Sequence, residues 1–360
     1  MSKIQNSIQN GIIFGKETKK IFKIAKKKKF AIPAVNCTNI DTINIALETA
    51  SKMHAPIIIQ LSYGGSSFIS GNNLPTISQN KKAALGSLSA ANHINLVAKY
   101  YNIPVILHTD HCYKDTLPWI DYLLKKSEIY FHNTGKTIFS SHMIDLSKEK
   151  IQKNLEISKK YLLRMSKINM ILEIELGCTG GEEDGIDNSN IKSDLLYTKP
   201  EEVYYMYHEL KKISNNFIIA ANFGNTHGVY APGNVQLKPN ILKKTQQYIC
   251  NKYNLNVNNP VDFVFHGGSG SSISDIKKSI NYGVVKINID TDIQWASWEG
   301  ILKYYQNNKK NLQTQLSNIN GINIPNKKYY DPRSWIQESK KSISEKLKKI
   351  FTICNCYNLI

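Results

Sequence analysis

Three histidines stand where short apolar runs give way to polar sequence: His111, His227 and His266. Three imidazoles that leave one coordination position open form a catalytic zinc arrangement, whereas a structural zinc more often closes its shell with thiolates. Two carboxylates, Asp145 and Glu175, end further runs between them. They have three readings: orienting the imidazoles, serving as alternative zinc ligands, or holding a second divalent ion. Any one histidine alone is as readily a hydrogen-bonded structural residue, and His108, His132 and His142 take that reading. His108 lies three residues before His111, so strand alternation turns it the other way.

The segment His266-Gly267-Gly268-Ser269-Gly270-Ser271 precedes a helical pattern. Such a loop brings backbone N–H groups and a hydroxyl against a phosphate, helped by the helix N-terminus. Asn288-Ile289-Asp290-Thr291 would complete that site. Residues 177–185 set the acids Glu182, Glu183 and Asp184 among glycines. This suits a mobile loop able to carry a carboxylate base into a site; the plain alternative is a solvated acidic loop. A zinc ion polarises a ketone carbonyl and holds the charge that forms when the adjacent carbon loses a proton. A carboxylate takes that proton, and an acid protonates the aldehyde oxygen. Together these groups point to aldol chemistry on a phosphorylated ketose.

Such groups must be brought together by the elements that carry them. Short apolar segments recur at 32–36, 56–62, 104–111, 138–146, 170–177, 217–227, 261–267 and 284–290. Each is followed by a longer helical pattern: about 40–53, 80–101, from 117, 148–166, from 200, 239–253, 273–281 and 292–306. Strands alternating with helices imply a parallel sheet buried on both faces. Eight units at this length fit an α/β fold of the closed (β/α)8 TIM-barrel type, with extra helices at the termini and after strand six. No GxGxxG follows the first strand, as an open dinucleotide-binding sheet would usually show. The strand ends then carry Asn36, Ser62, Asp110-His111, Asp145, Glu175, His227, His266, and Asn288 with Asp290. A polar group at all eight ends, on the face where barrel active sites lie, is hard to assign to turns.

Composition narrows the function classes. The chain has 360 residues, 41% of them hydrophobic, enough for a sizeable core. Its longest apolar runs, such as Pro56-Ile57-Ile58-Ile59, are strand-sized, so no membrane span or membrane partner is expected. The first residues lack a charged-then-apolar signal pattern, which points to the cytoplasm. Six cysteines without CxxC spacing read as reduced structural thiols. A net charge of +18 raises nucleic acid as a partner. The lysines are scattered, however, apart from Lys26 to Lys29 at the end of a helical pattern that starts near Lys16. Compositional bias explains them better than a binding groove, so no nucleic-acid partner is expected. The field would still gather an anionic phosphate substrate. No internal repeat or linker divides residues 1–360, which read as one domain.

The motifs resemble those of class II fructose-bisphosphate aldolases of the bacterial class IIA type, nearly end to end. The likeness is carried by Phe30-Ala31-Ile32-Pro33-Ala34-Val35-Asn36-Cys37, Val105-Ile106-Leu107-His108-Thr109-Asp110-His111-Cys112 and Phe139-Ser140-Ser141-His142-Met143-Ile144-Asp145. It continues through Leu172-Glu173-Ile174-Glu175-Leu176-Gly177, Glu183-Asp184-Gly185 and Phe223-Gly224-Asn225-Thr226-His227-Gly228-Val229-Tyr230. Phe265-His266-Gly267-Gly268-Ser269-Gly270, Asn288-Ile289-Asp290-Thr291-Asp292 and Pro325-Asn326-Lys327-Lys328-Tyr329-Tyr330-Asp331-Pro332-Arg333 complete it.

The resemblance implies reversible cleavage of fructose 1,6-bisphosphate to dihydroxyacetone phosphate and glyceraldehyde 3-phosphate, in glycolysis and gluconeogenesis. His111, His227 and His266 would bind the catalytic Zn2+, with Asp145 and Glu175 at an alternative or second metal position. Asp110 would give a proton to the glyceraldehyde-3-phosphate oxygen. Glu183 would exchange the proton at the dihydroxyacetone-phosphate carbon, with Glu182 its nearest rival. Ser62, Gly228, Gly267, Gly268, Ser269, Asn288, Ile289, Asp290 and Thr291 would hold substrate and one phosphate. Asn36 would support the second substrate, and the partner subunit's Arg333 would reach the other phosphate. A monovalent cation (K+ or Na+) and a homodimer are also implied. The chain departs from the pattern at Tyr63, where a smaller amide is expected, and at Asn222, where serine is usual.

Three rival readings remain in view. Tagatose 1,6-bisphosphate differs from the fructose sugar in one hydroxyl configuration. Lys286, in step with Asn288 and Asp290, would face the lumen and could form a Schiff base, although a zinc site makes an imine unnecessary and a lysine low in a barrel is usually layer packing. A non-catalytic basic binding protein on the same barrel would lack a ligand or acid, and none is missing.

Overall fold

Eight parallel strands close on themselves: β1 (Ile32–Asn36), β2 (Ile57–Leu61), β3 (Pro104–Thr109), β4 (Ser141–Ile144), β5 (Ile171–Leu176), β6 (Phe217–Ala221), β7 (Phe263–Phe265) and β8 (Val284–Ile289). Each pairs with the next, and β8 returns to β1 with Lys286 opposite Ile32 and Asn288 opposite Ala34. Every residue of these strands is buried, as sheets covered on both faces require. This computed structural model describes residues 8–71, 74–75, 77–183, 186–187, 196–228, 236–317, 321 and 323–360.

Helices wrap the barrel. After α1 (Lys16–Lys28), which precedes β1, come α2 (Ile40–Lys52), α3 (Tyr63–Ile69), α4 (Gln79–Val97), α5 (Leu117–Thr134) and α6 (Ile151–Lys167). They are followed by α7 (Pro200–Lys211), α8 (Asn240–Tyr253), α9 (Ile273–Asn281), α10 (Thr291–Asn308), α11 (Lys327–Tyr330) and α12 (Pro332–Ile353). Their starts follow local rules: Asn39, Ser62 and Ser272 accept the backbone N–H of Thr42, Gly65 and Asp275. The polar tail becomes α12, which packs outside the barrel on α10 and α2.

The lysine-rich α1 is an ordinary amphipathic helix. It buries Ile21, Phe22 and Ala25. Lys19 and Lys26 reach the two oxygens of Asp262, at 2.7 and 2.6 Å, just before β7. Asp262 is buried; burial pushes its carboxyl up, but the two ammonium groups outweigh this and hold it below the ordinary range. All six cysteines are free thiols, five of them buried.

Two local features differ from the sequence expectation. The strand expected over 217–227 stops at Ala221, and Thr226–His227 forms a separate short strand. Between them Gly224 takes φ 98°, and the Asn225 side chain accepts the Phe223 N–H at 3.1 Å, so the chain turns out of the barrel wall. The residues just after Ser62, to which the sequence pattern assigns no element, form helix α3, which Ser62 caps.

Candidate active site

Asp110 follows the last residue of β3 and is fully buried. Three amides from neighbouring strands converge on it. Asn36 and Gln60 donate to Oδ2 at 3.1 and 2.9 Å, and Asn288 donates to Oδ1 at 3.1 Å. Gln60 also donates to the Asn36 carbonyl oxygen. The four side chains come from β1, β2, β8 and the end of β3, so barrel closure alone assembles them.

Beside this cluster lie the imidazoles and remaining carboxylates. His111 Nδ1 is 2.9 Å from Asp145 Oδ2 and 3.3 Å from Glu175 Oε2. His266 Nδ1 is 3.5 Å from the same Glu175 oxygen, and the two imidazole rings meet edge-on with centroids 4.6 Å apart. One donor atom each from Asp110, His111 and His266 lies within 4.8 Å of the others, and the same holds for His111, Asp145 and Glu175. All are buried. Imidazole nitrogens and carboxylate oxygens gathered this tightly are a fitting donor set for zinc, and a cation would offset the buried negative charge.

Supporting contacts orient the set. Ser147 donates to Asp145 Oδ1 through its backbone N–H at 3.0 Å and its hydroxyl at 2.6 Å. Thr179 donates to Glu175 Oε1 at 2.7 Å, and Asn222 donates to the Thr179 hydroxyl at 2.9 Å. Burial pushes the Asp145 carboxyl up, but His111 and Ser147 hold it below the ordinary range. Burial likewise lowers His266, yet the Glu175 and Glu173 carboxylates overcome it and push the imidazole up to about 9.

The side chains of His227, Glu182 and Glu183 lie outside the described structure, as do Asp184 and Gly185 altogether. The backbone of His227 is placed: Thr226–His227 pairs in parallel with Gly180–Gly181. Gly267, at φ 61°, comes so close that a Cβ there would lie 2.5 Å from the Thr226 carbonyl oxygen. His227 therefore follows a residue packed on the His266–Gly267 turn, next to the strand that carries Glu182 and Glu183.

Some of the expected phosphate residues lie together. The Asp292 N–H donates to Ser269 Oγ at 3.3 Å, which holds the loop after β7 against the first turn of α10. Asp290 and Thr291 open that helix, and Asn288 and Ile289 lead into it from β8. Ser62 caps α3, and Gly228 follows the Thr226–His227 strand. Arg333 stands apart, its side chain 90% exposed and its guanidinium paired with Asp331 at 2.7 Å. Of the two departures, Asn222 is the amide that supports Thr179, and Tyr63 packs edge-on against Trp119 with ring centroids 5.5 Å apart.

One expectation fails. His108 does not turn away from the interior: its Nε2 is 3.3 Å from Lys286 Nζ and 3.4 Å from Glu173 Oε2, one layer below Asp110. β3 ends at Thr109, so His111 lies past the alternating segment, and counting back from it gives the wrong face. His108 still keeps its structural reading. Its Nδ1 is 2.7 Å from the Ser141 hydroxyl, and burial, with Lys286 beside it, holds its pKa well below the usual imidazole range. Sequence reasoning also passed over Gln60, Thr179 and Glu173. Glu173 had a readable signal, being in step with Glu175 along β5 and so bound to share its face.

Comparisons with known proteins give the family. The sequence model of the family Fructose-bisphosphate aldolase class-II matches residues 16–359. Fructose-bisphosphate aldolase class 2 of Buchnera aphidicola subsp. Schizaphis graminum is 60% identical, over 99% of this chain and 100% of that one. The Escherichia coli K12 protein of the same name is 55% identical over the full length of both. The crystal structure of fructose-bisphosphate aldolase from Campylobacter jejuni superposes with a TM-score of 0.90 at 48% identity, covering 100% of each chain. With the barrel, the site and these relatives in agreement, the chain belongs to the class II fructose-bisphosphate aldolase family.

Proposed function

We propose that residues 1–360 form one aldolase domain that cleaves fructose 1,6-bisphosphate reversibly, with zinc held at the barrel mouth by His111, His227 and His266. The observation that carries the assignment is the convergence of Asp110, His111, Asp145, Glu175 and His266 at one end of the barrel. His227 enters on its backbone position beside His266 and on the family resemblance. Zinc, when bound, supplies a Lewis acid for the ketone carbonyl. In the condensation direction Glu183 takes a proton from the dihydroxyacetone-phosphate carbon, with Glu182 as its rival. That carbon attacks the aldehyde, and Asp110 protonates the aldehyde oxygen; cleavage runs the same transfers in reverse. Asn36, Gln60 and Asn288 hold Asp110 in place for this role.

Asp145 and Glu175 serve an alternative position of the metal or a second divalent ion. Gly267, Gly268, Ser269 and Asn288 to Thr291, with Ser62 and Gly228, bind substrate and one phosphate, where backbone N–H groups at the start of α10 favour an anion. A monovalent cation belongs near that loop. Exposed Arg333 is free of the cluster of its own chain and serves a neighbour's site in a homodimer. Among the described residues no helix is long and apolar enough to cross a membrane, and the enzyme is assigned to the cytoplasm.

The test is cleavage of fructose 1,6-bisphosphate, with tagatose 1,6-bisphosphate in parallel, before and after EDTA and again with zinc restored. A second sample receives borohydride with dihydroxyacetone phosphate. Activity on the fructose sugar that is lost to chelator, restored by zinc and untouched by borohydride supports the assignment. Chelator-resistant activity destroyed by borohydride would overturn it in favour of an imine at Lys286.

A further inference from the structure

Below the metal-ligand cluster lies a buried ionic group that the chemistry above does not use. Lys286 on β8 is 1% exposed and Glu173 on β5 is 0% exposed. The ammonium donates to Glu173 Oε1 at 3.0 Å and Oε2 at 2.8 Å, and its remaining close partner is His108 Nε2 at 3.3 Å. Glu173 Oε1 in turn lies 2.7 Å from His266 Nε2. His266 therefore has its Nε2 face occupied by Glu173, while Nδ1 points to Glu175 and His111.

We propose that Lys286 is a positioning residue that sets the protein's zinc affinity through Glu173 and His266; this rests on the reading of His266 as a zinc ligand. A liganding imidazole must present a lone pair on the nitrogen facing the metal and carry its proton on the other. Glu173, as an anionic acceptor at Nε2, holds the proton there and turns Nδ1 toward the site. An isolated buried carboxylate is too costly to persist, so the anion needs a cation of its own. Lys286 is that cation, reached from the opposite wall of the barrel. His108 completes the lysine's shell and is itself anchored to Ser141. A lysine on this strand therefore acts as a counterion, with no nucleophilic role. Partners of this kind typically alter metal affinity about 10–100-fold when removed.

The experiment measures zinc affinity of the metal-stripped full-length protein by competition with a chromophoric chelator. The variants are Lys286→Met, Glu173→Gln and the double variant, with His266→Ala alongside. The visible spectrum of the cobalt-loaded proteins and the melting temperature of each stripped protein are recorded as well. Lys286→Met is expected to weaken zinc about 10–100-fold and to shift the cobalt spectrum. In the Glu173→Gln background the same change should move affinity less than about threefold, because the carboxylate it acts through is gone. A Lys286→Met protein that melts earlier but binds zinc within about twofold of the parent would reduce the lysine to a packing role. If Lys286→Met does not fold, Lys286→Gln, which can still donate to Glu173 but carries no charge, takes its place: zinc affinity within about twofold of the parent overturns the proposal, and a loss of about 10–100-fold that disappears in the Glu173→Gln background sustains it. Should His266→Ala bind zinc as well as the parent, the metal assignment itself fails; should it lose zinc while Lys286→Met does not, only the lysine's role falls.

Discussion

Replacing Asp110 by asparagine separates chemistry from folding. The Asp110 carboxylate accepts three amide N–H groups, two on Oδ2 from Asn36 and Gln60 and one on Oδ1 from Asn288. An asparagine with its oxygen in the Oδ2 position keeps the first two and sets its own NH2 against that of Asn288. A buried donor facing a donor costs about 1–3 kcal/mol. Asn288 can relieve it by turning its amide, because its Oδ1 has no hydrogen-bond partner to lose among the described residues. The net cost then falls to about 1 kcal/mol, a melting shift of no more than about 3 °C in a chain of this size. The amide can neither give nor take a proton as an acid or base near neutral pH, so loss of the general acid should lower cleavage by about 10²–10⁴-fold, equivalent to about 3–5 kcal/mol of barrier. Cleavage is followed by coupled reduction of the triose phosphate. Exchange of the dihydroxyacetone-phosphate C–H in D2O, followed by proton NMR, reports the Glu183 step separately and should stay within about tenfold of the parent. A variant that cleaves within tenfold of the parent would refute Asp110 as the proton donor, and loss of exchange in step with cleavage would mean that the substitution disturbed the whole site.

Two further outcomes follow from the charge distribution. The His266 imidazole is pushed up to about 9 in the metal-free protein, so zinc must displace its proton at neutral pH; apparent zinc affinity should fall about tenfold per pH unit below 9, and a flat profile from pH 6 to 9 would remove His266 from the ligand set. Asp262, paired with Lys19 and Lys26, has its carboxyl held below the ordinary range, so its contribution is complete above the unfolded value of about 4 and is lost as pH falls through the lower folded value. Asp262→Asn should cost about 2–3 kcal/mol in urea unfolding at pH 7, less than a fully buried pair because both lysines keep some water contact. An unchanged midpoint would mean that the pair contributes nothing.

Much of this protein is legible in its sequence. Eight apolar runs alternating with helical periods determine a closed parallel barrel, because such strands must be buried on both faces. A barrel in turn brings its strand ends to one mouth, so Asp110, His111, Asp145, Glu175, His266 and Asn288 could be assembled from order alone. Local rules break down where the regular strand ends. The position of His227 depends on a turn held by Gly224 and Asn225 and on pairing with Gly180–Gly181, a contact between loops distant in sequence. The face of His108 depends on where β3 stops. The Lys286–Glu173–His266 chain crosses the lumen between residues 113 apart in sequence. Periodicity states which face a residue takes, but only closure of the barrel decides which charge it meets there.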